Sequence, residues 1–388
     1  MTGRAFENFP ADELADMVAL RRDLHRHPEL RYEETRTAEI VAARLSGIGL
    51  RPRTGIAKTG VTADMGSSGG ARLMIRADMD GLPLQEDNPA EYASEEPGRM
   101  HACGHDGHVA IGLAVARRLA ERPPSTPIRS LFQPAEEGGN GAEAMCRDGA
   151  LENVSAALGL HLWNLLPVGK IGVVPGPQMA AVDEFEILVS GPGGHAAAPD
   201  ETFDPILASA RIVEALQAVV SREISPLDPA VVTVGSIHGG SAFNIIPKQV
   251  VLKGTVRTFS AEAHRSIPEK LGRIVAGTAQ ACGVSARLDY RRLNRATIND
   301  PAMTRIVVEA AEEILGPGCV AESRTMGGED MSVYLEKVPG CFFFVGSALP
   351  GPPRPHHSPV FDFDERALAV GALVLEAAAR KVSERIAR

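Results

Sequence analysis

The chain has 388 residues, 44% of them hydrophobic and 23% charged, with a formal net charge of −9. That length exceeds one ordinary core and predicts two domains, while the acidic balance argues against a nucleic-acid or membrane-surface partner, which calls for a basic patch. No apolar run is long enough to span a bilayer, Met1–Glu7 lacks a signal-peptide core so that the mature chain is expected to begin there, and five scattered cysteines suit a reducing cytoplasm rather than a disulfide framework.

In chain order, apolar residues at Leu14, Met17, Val18 and Leu24 keep helical period and predict a helix over 12–25. A second is expected over 34–45, ending at Gly47. Residues 71–76 read as a strand with Asp78 and Asp80 just after it. A loop bearing Cys103 and His105 then feeds a helix over 109–121, stopped by Pro123-Pro124. Strands over 128–132, 156–160 and 341–345 precede Glu136-Glu137, His161 and His356-His357, and Asp364 is expected to cap a long final helix. Strand, polar cluster, helix, repeated, is an α/β pattern, and in open α/β sheets ligands sit beyond the carboxyl ends of strands.

The middle differs. Strands from about 181 to 190, 230–237, 249–259 and 284–290, with helices over 205–220 and 261–282, give the order β-α-β-β-α-β of a ferredoxin-like module. Pro175-Gly176-Pro177 and Asn299-Asp300-Pro301 are plausible hinges around it. The expected fold class is therefore α/β: a three-layer α/β/α domain with a mixed sheet, 1–178 and 296–388, and an inserted domain, 179–295.

Thiolate, imidazole and paired carboxylates are the chemistry of metal-assisted hydrolysis. Cys103 and His105, two apart in an extended loop, would point to the same side, with His101 and His108 as competing ligands. The other four cysteines, Cys146, Cys282, Cys319 and Cys341, read as small core residues. In Glu136-Glu137 one carboxylate can bind a metal while the other acts as base; of His356 and His357, steric direction lets at most one bind. Together with His161 these give five ligands, more than one catalytic tetrahedral site uses, so two metals fit better. In the inserted segment, His195 follows a glycine turn, while Asn244 and Arg257 offer an amide and a guanidinium, the latter suited to a carboxylate.

Asp78-Met79-Asp80-Gly81-Leu82-Pro83, His101-Ala102-Cys103-Gly104-His105-Asp106, Gln133-Pro134-Ala135-Glu136-Glu137-Gly138 and His357-Ser358-Pro359 together resemble the M20 metallopeptidase family. The branch is that of hippurate hydrolases, aminoacylases and indoleacetyl-amino-acid hydrolases, and the likeness runs from about Leu20 to Phe363. It implies a catalytic domain with two metals and an inserted lid domain, often used for dimerisation. By this resemblance Cys103, His105, Glu137, His161 and His357 are the metal ligands and Glu136 the general base. Asp78 orients a ligand, and His195 reaches a neighbouring active site to stabilise the oxyanion. Asn244 and Arg257 hold a substrate carboxylate, and Gly327-Gly328-Glu329-Asp330 lines the site near the catalytic domain's edge. Thiolate favours zinc; manganese, nickel or cobalt are other occupants.

The expected activity is hydrolysis of an N-acyl-L-amino acid by a cytoplasmic homodimer or higher homo-oligomer. Rival readings are a dipeptidase, an N-acetyl-diaminopimelate-type deacetylase, a non-catalytic metal- or amino-acid-binding protein, and an amidase with Cys103 as nucleophile.

Overall fold

The computed structural model describes residues 9–66 and 70–386, so the expected start of the mature chain at Met1–Glu7 lies outside the described residues. The chain forms two compact units, one comprising the residues up to Gln178, Thr297–Arg324 and Asp330 onward, the other Met179–Ala296 with Thr325–Glu329. Among the described residues no helix is long and apolar enough to cross a membrane.

The first unit is built on an eight-stranded sheet. Its centre is four parallel strands in the order Ile128–Gln133, Arg72–Asp78, Val154–Pro167 and Gly340–Ala348, with antiparallel neighbours on both sides. Arg72–Asp78 and Ile128–Gln133 are buried along their whole length, as parallel strands covered on both faces must be. Leu73, Ile75 and Ala77 on one face, with Leu158, Leu160 and Leu162, join the core under helices His105–Glu121 and Arg366–Ile386. Residues of opposite parity face the other way: a side chain at Gly159 would meet Phe342 and Met331, the latter from the short helix Met331–Leu335. Helices thus lie on both faces, and the α/β class with a mixed sheet expected from the sequence is the one observed.

The second unit is a four-stranded antiparallel sheet in the order Ala230–Gly239, Gln249–Thr258, Ala181–Ser190, Ser285–Asn294, the arrangement of a ferredoxin-like βαββαβ module. Phe185, Ile187 and Val189 alternate along the central strand and bury their face against helices Pro205–Ala218 and Ala261–Ala281. Those helices start at capping side chains: Asp204 accepts from the N–H of Ile206 and Leu207, and Ser260 from that of Ala263. The expected hinges are instead regular structure. Gly176–Met179 is a strand paired with Thr297–Asn299, and Asp300 caps helix Pro301–Leu315. The segment Thr325–Glu329 also groups with this unit, although it lies within the expected bounds 296–388 of the first.

Candidate metal centre

Cys103 and His105 converge by a route that the period of the sequence hides. The helix begins at His105 rather than Val109, because Gly104 takes a left-handed conformation, φ +85°, and turns the chain directly into the first turn. His105 and His108, three apart on that helix, therefore share a face, instead of Cys103 and His105 sharing one side of an extended loop. His161 also departs from expectation: it lies inside Val154–Pro167 rather than after it, opposite Phe344 of the neighbouring parallel strand.

The five expected ligands come together in the first unit. Donor atoms of Cys103, His105 and His161 lie within 4.8 Å of one another, and so do those of Cys103, Glu137 and His357. Cys103 Sγ is 3.4 Å from His161 Nε2, and His357 Nε2 is 3.0 Å from Glu137 Oε1. The same spacing groups Glu136 with His105 and Glu137. His357 sits at φ +60°, a conformation costly for a residue with a Cβ and frequent at functional sites. His356 points elsewhere: its Nε2 donates to the Leu162 carbonyl at 2.9 Å, and burial lowers its pKa to about 4. His101 is buried and belongs to none of these donor groups among the described residues.

Backbone acceptors decide where the imidazole protons sit. His105 Nδ1 donates to the Asp80 carbonyl at 2.8 Å and His161 Nδ1 to the Leu162 carbonyl at 2.7 Å. His161 thus turns an unprotonated Nε2 toward Cys103, the form that binds a metal, and on His105 Nε2 is the nitrogen left for a cation once its proton is lost. Asp78 does not hold the Nδ1 of either ring. Its carboxylate accepts from His108 Nδ1 at 2.6 Å and Arg76 Nη1 at 2.7 Å, and lies 3.6 Å from His105 Nε2. Burial would raise its pKa, but Arg76 and the two histidines hold Asp78 well below the usual carboxylate range.

The Glu136-Glu137 turn is held by residues to which the sequence alone assigns no role. Asp80 Oδ1 accepts from the Glu136 N–H at 3.0 Å and Oδ2 from the Glu137 N–H at 2.9 Å. Glu34 Oε1 accepts at 2.9 Å from the N–H of Ala135, itself strained at φ +55°. Tyr32 Oη donates to the Gly139 carbonyl at 2.7 Å. Because one carboxylate fixes both glutamate amides, Asp80→Ala is expected to lower metal affinity and kcat together, each by about 10–100-fold. Metal titration and steady-state rates on the same preparation check this.

The donor set fits divalent cations. His105 Nε2 is fully buried without a hydrogen-bond partner; a cation supplies what it lacks. Burial would lower the pKa of His105, yet Asp78 and Asp80 raise it to about 10. Burial pushes the Cys103 thiol well up, as do the carboxylates of Glu137, Glu136 and Asp78. So much unrelieved negative charge around a thiol is the environment of a cation site and not of an activated nucleophile.

His195, Asn244 and Arg257 belong to the second unit. His195 and Asn244 line a cavity of about 510 Å³ with Ile245, Pro247 and Lys248. His195 Nδ1 accepts from the Ala197 N–H at 3.0 Å, which leaves the proton on Nε2. Arg257 is half-buried on Gln249–Thr258, its Nε donating to Thr255 Oγ1 at 3.2 Å, and burial lowers its pKa against the opposing charge of Asp183.

Buried sulfur, imidazole and carboxylate groups gathered at a parallel sheet, with a glutamate to spare, define a metal-dependent hydrolase of the α/β class. Residues 74–381 match the peptidase family M20/M25/M40, and the chain belongs to that family. An N-acetylcysteine deacetylase of Bacillus subtilis is 41% identical over 363 residues, 92% of this chain and 94% of its own. IAA-amino acid hydrolase ILR1-like 4 of Arabidopsis thaliana is 39% identical over 365 residues, 92% and 83% of the two chains. Among solved structures, the YXEP protein of Bacillus subtilis, a dinuclear metal binding peptidase from the M20 family, shares 36% identity at a TM-score of 0.85. The match covers 97% of this chain and 99% of that one.

Proposed function

We propose that this chain hydrolyses the amide bond of N-acyl-L-amino acids, releasing a carboxylic acid and the free amino acid, with two divalent cations, zinc first among them. The observation that carries this reading is the pair of donor triads sharing Cys103, with Glu136 beside them and its amide fixed by Asp80. One relative is named as a hydrolase of IAA-amino acids and the other as a deacetylase of N-acetylcysteine, which supports the substrate class. A non-catalytic binder has no use for Glu136, and the raised thiol of Cys103 disfavours a cysteine nucleophile.

Cys103, His105, Glu137, His161 and His357 would hold the cations, whose chemistry when bound is to acidify water and polarise the scissile carbonyl. Glu136 takes the proton of the attacking water and delivers it to the leaving amine. His195 Nε2–H donates to the carbonyl oxygen as it gains charge, a contribution worth roughly 3–4 kcal/mol in comparable sites. Arg257 and Asn244 hold the α-carboxylate, with Asp78 steadying the ligand set. We place the protein in the cytoplasm, which its free cysteines suit, as a homodimer in which His195 serves the partner's site.

The decisive assay is amino-acid release from hippurate, N-acetylmethionine, N-acetylcysteine and an indoleacetyl-amino acid, by protein reloaded with zinc, manganese, cobalt or nickel. Release from one or more, abolished by chelation, is expected; activity surviving chelation returns the cysteine reading. His195→Ala should cost about 10²–10³-fold in kcat. Mixing it with Glu136→Gln under conditions that exchange subunits should restore activity, because one site of each mixed dimer then has both groups. No restoration would place His195 in its own subunit's site.

A further inference from the structure

His108 belongs to the same histidine-rich motif as the candidate ligands, yet both its nitrogens are already engaged. Leu162 donates its backbone N–H to His108 Nε2 at 2.9 Å, so that nitrogen is an acceptor and the proton must sit on Nδ1. Nδ1–H in turn meets Asp78 Oδ1 at 2.6 Å. The Leu162 carbonyl, in the next peptide unit and joined to that N–H through the Leu162 Cα, accepts from both His161 Nδ1, at 2.7 Å, and His356 Nε2, at 2.9 Å. The two peptide units that meet at Leu162 are thus each held by imidazoles. Beyond Asp78 the chain of contacts continues through Arg76 to Asp330, at 2.9 Å, and to Gln133, at 2.9 Å, all buried.

We infer that His108 is a positioning residue that fixes the main chain at Leu162, and through the Leu162 carbonyl the tautomer and direction of His161. Resting on the metal reading above, this assigns His108 a task distinct from ligation. If the main chain turns about Leu162, the Leu162 carbonyl leaves His161 Nδ1. The ring can then carry its proton on Nε2, and in that form it cannot bind a cation through the nitrogen facing Cys103. A side chain at 108 must therefore both accept from an amide and donate to a carboxylate. Glutamine has one group of each kind, with about the reach of the imidazole. Asparagine can serve Asp78 but stops short of the Leu162 amide, and leucine can do neither.

The test is titration of the cation-free protein with cobalt, followed by the visible d–d and thiolate charge-transfer bands, alongside zinc competition against a chromogenic chelator. Thermal unfolding is measured on the same variants. Wild type and His108→Gln are expected to agree within about threefold, and His108→Asn and His108→Leu to bind about 10–100-fold more weakly with an altered cobalt spectrum. His108→Leu binding as tightly as wild type overturns the inference, as do glutamine and asparagine variants that weaken equally. If His108→Leu fails to fold, the contrast of glutamine with asparagine decides. A wild-type protein that binds no cobalt would instead refute the metal reading itself.

Discussion

Glu136→Gln should reduce turnover by about 10³-fold while leaving metal content and affinity near wild type. The substitution keeps the volume of the side chain and the Asp80 bond to the residue 136 amide, which is a backbone contact. It removes only the capacity to accept and return a proton. Glu137, whose Oε1 lies 3.0 Å from His357 Nε2, is untouched, so the ligand set stays intact. Metal analysis together with kcat and kcat/KM for the best substrate checks the result. A fall in metal content would move Glu136 into the ligand set; an unchanged kcat would end its assignment as base.

Cys103→Ala is expected to have the largest effect on metal binding, because the sulfur belongs to both donor triads. Losing any other expected ligand weakens one triad, and losing Cys103 weakens both. The protein should therefore lose both cations on dialysis, where His357→Ala retains part of the total. Proton release gives an independent check. In the cation-free site the Cys103 thiol is protonated, its pKa raised well above the ordinary value by burial and neighbouring carboxylates, and His105 is held protonated up to about pH 10. Both groups must lose a proton before they can bind, so near neutral pH affinity should rise with pH, with about two protons released on loading. Calorimetry in buffers of different ionisation enthalpy counts them. Cys103→Ala should lower the count by one for whatever cation it still binds, and no change would remove the thiol from the ligand set.

How far the sequence led follows from the range over which each feature is encoded. The alternation of Phe185, Ile187 and Val189, the helical period of the final helix and the order of elements in the inserted segment are local patterns, and they lead directly to the observed layers. Residue type announced metal chemistry around Cys103, His105, Glu136-Glu137, His161 and His356-His357, but the choice of five candidate ligands among them came from the family resemblance. Their convergence was not read correctly in detail. Gly104 starts the helix at His105 through a left-handed turn, a feature of one residue that periodicity over a window cannot register. His161 itself ends the apolar run over 156–160, whereas pairing with Gly340–Ala348 carries the strand on to Pro167. Asp80 and Glu34 were harder still. Each is a single acid acting on backbone amides more than 50 positions away, and nothing local distinguishes it from a solvated carboxylate. The adjacency of Asp80 to Asp78 was the one available hint.

Thr325–Glu329 belongs with the second unit although the residues on both sides of it belong to the first. Within that unit the Ala180 N–H donates to the Gly327 carbonyl at 3.0 Å, and Gly328 packs so closely on Val182 that a Cβ there would stand 2.1 Å from a valine methyl. A chimera that transplants only the contiguous insertion from a relative would leave this five-residue strap mismatched to its new neighbours. Grafting experiments aimed at altering selectivity must carry both pieces together, with the glycine at 328 retained.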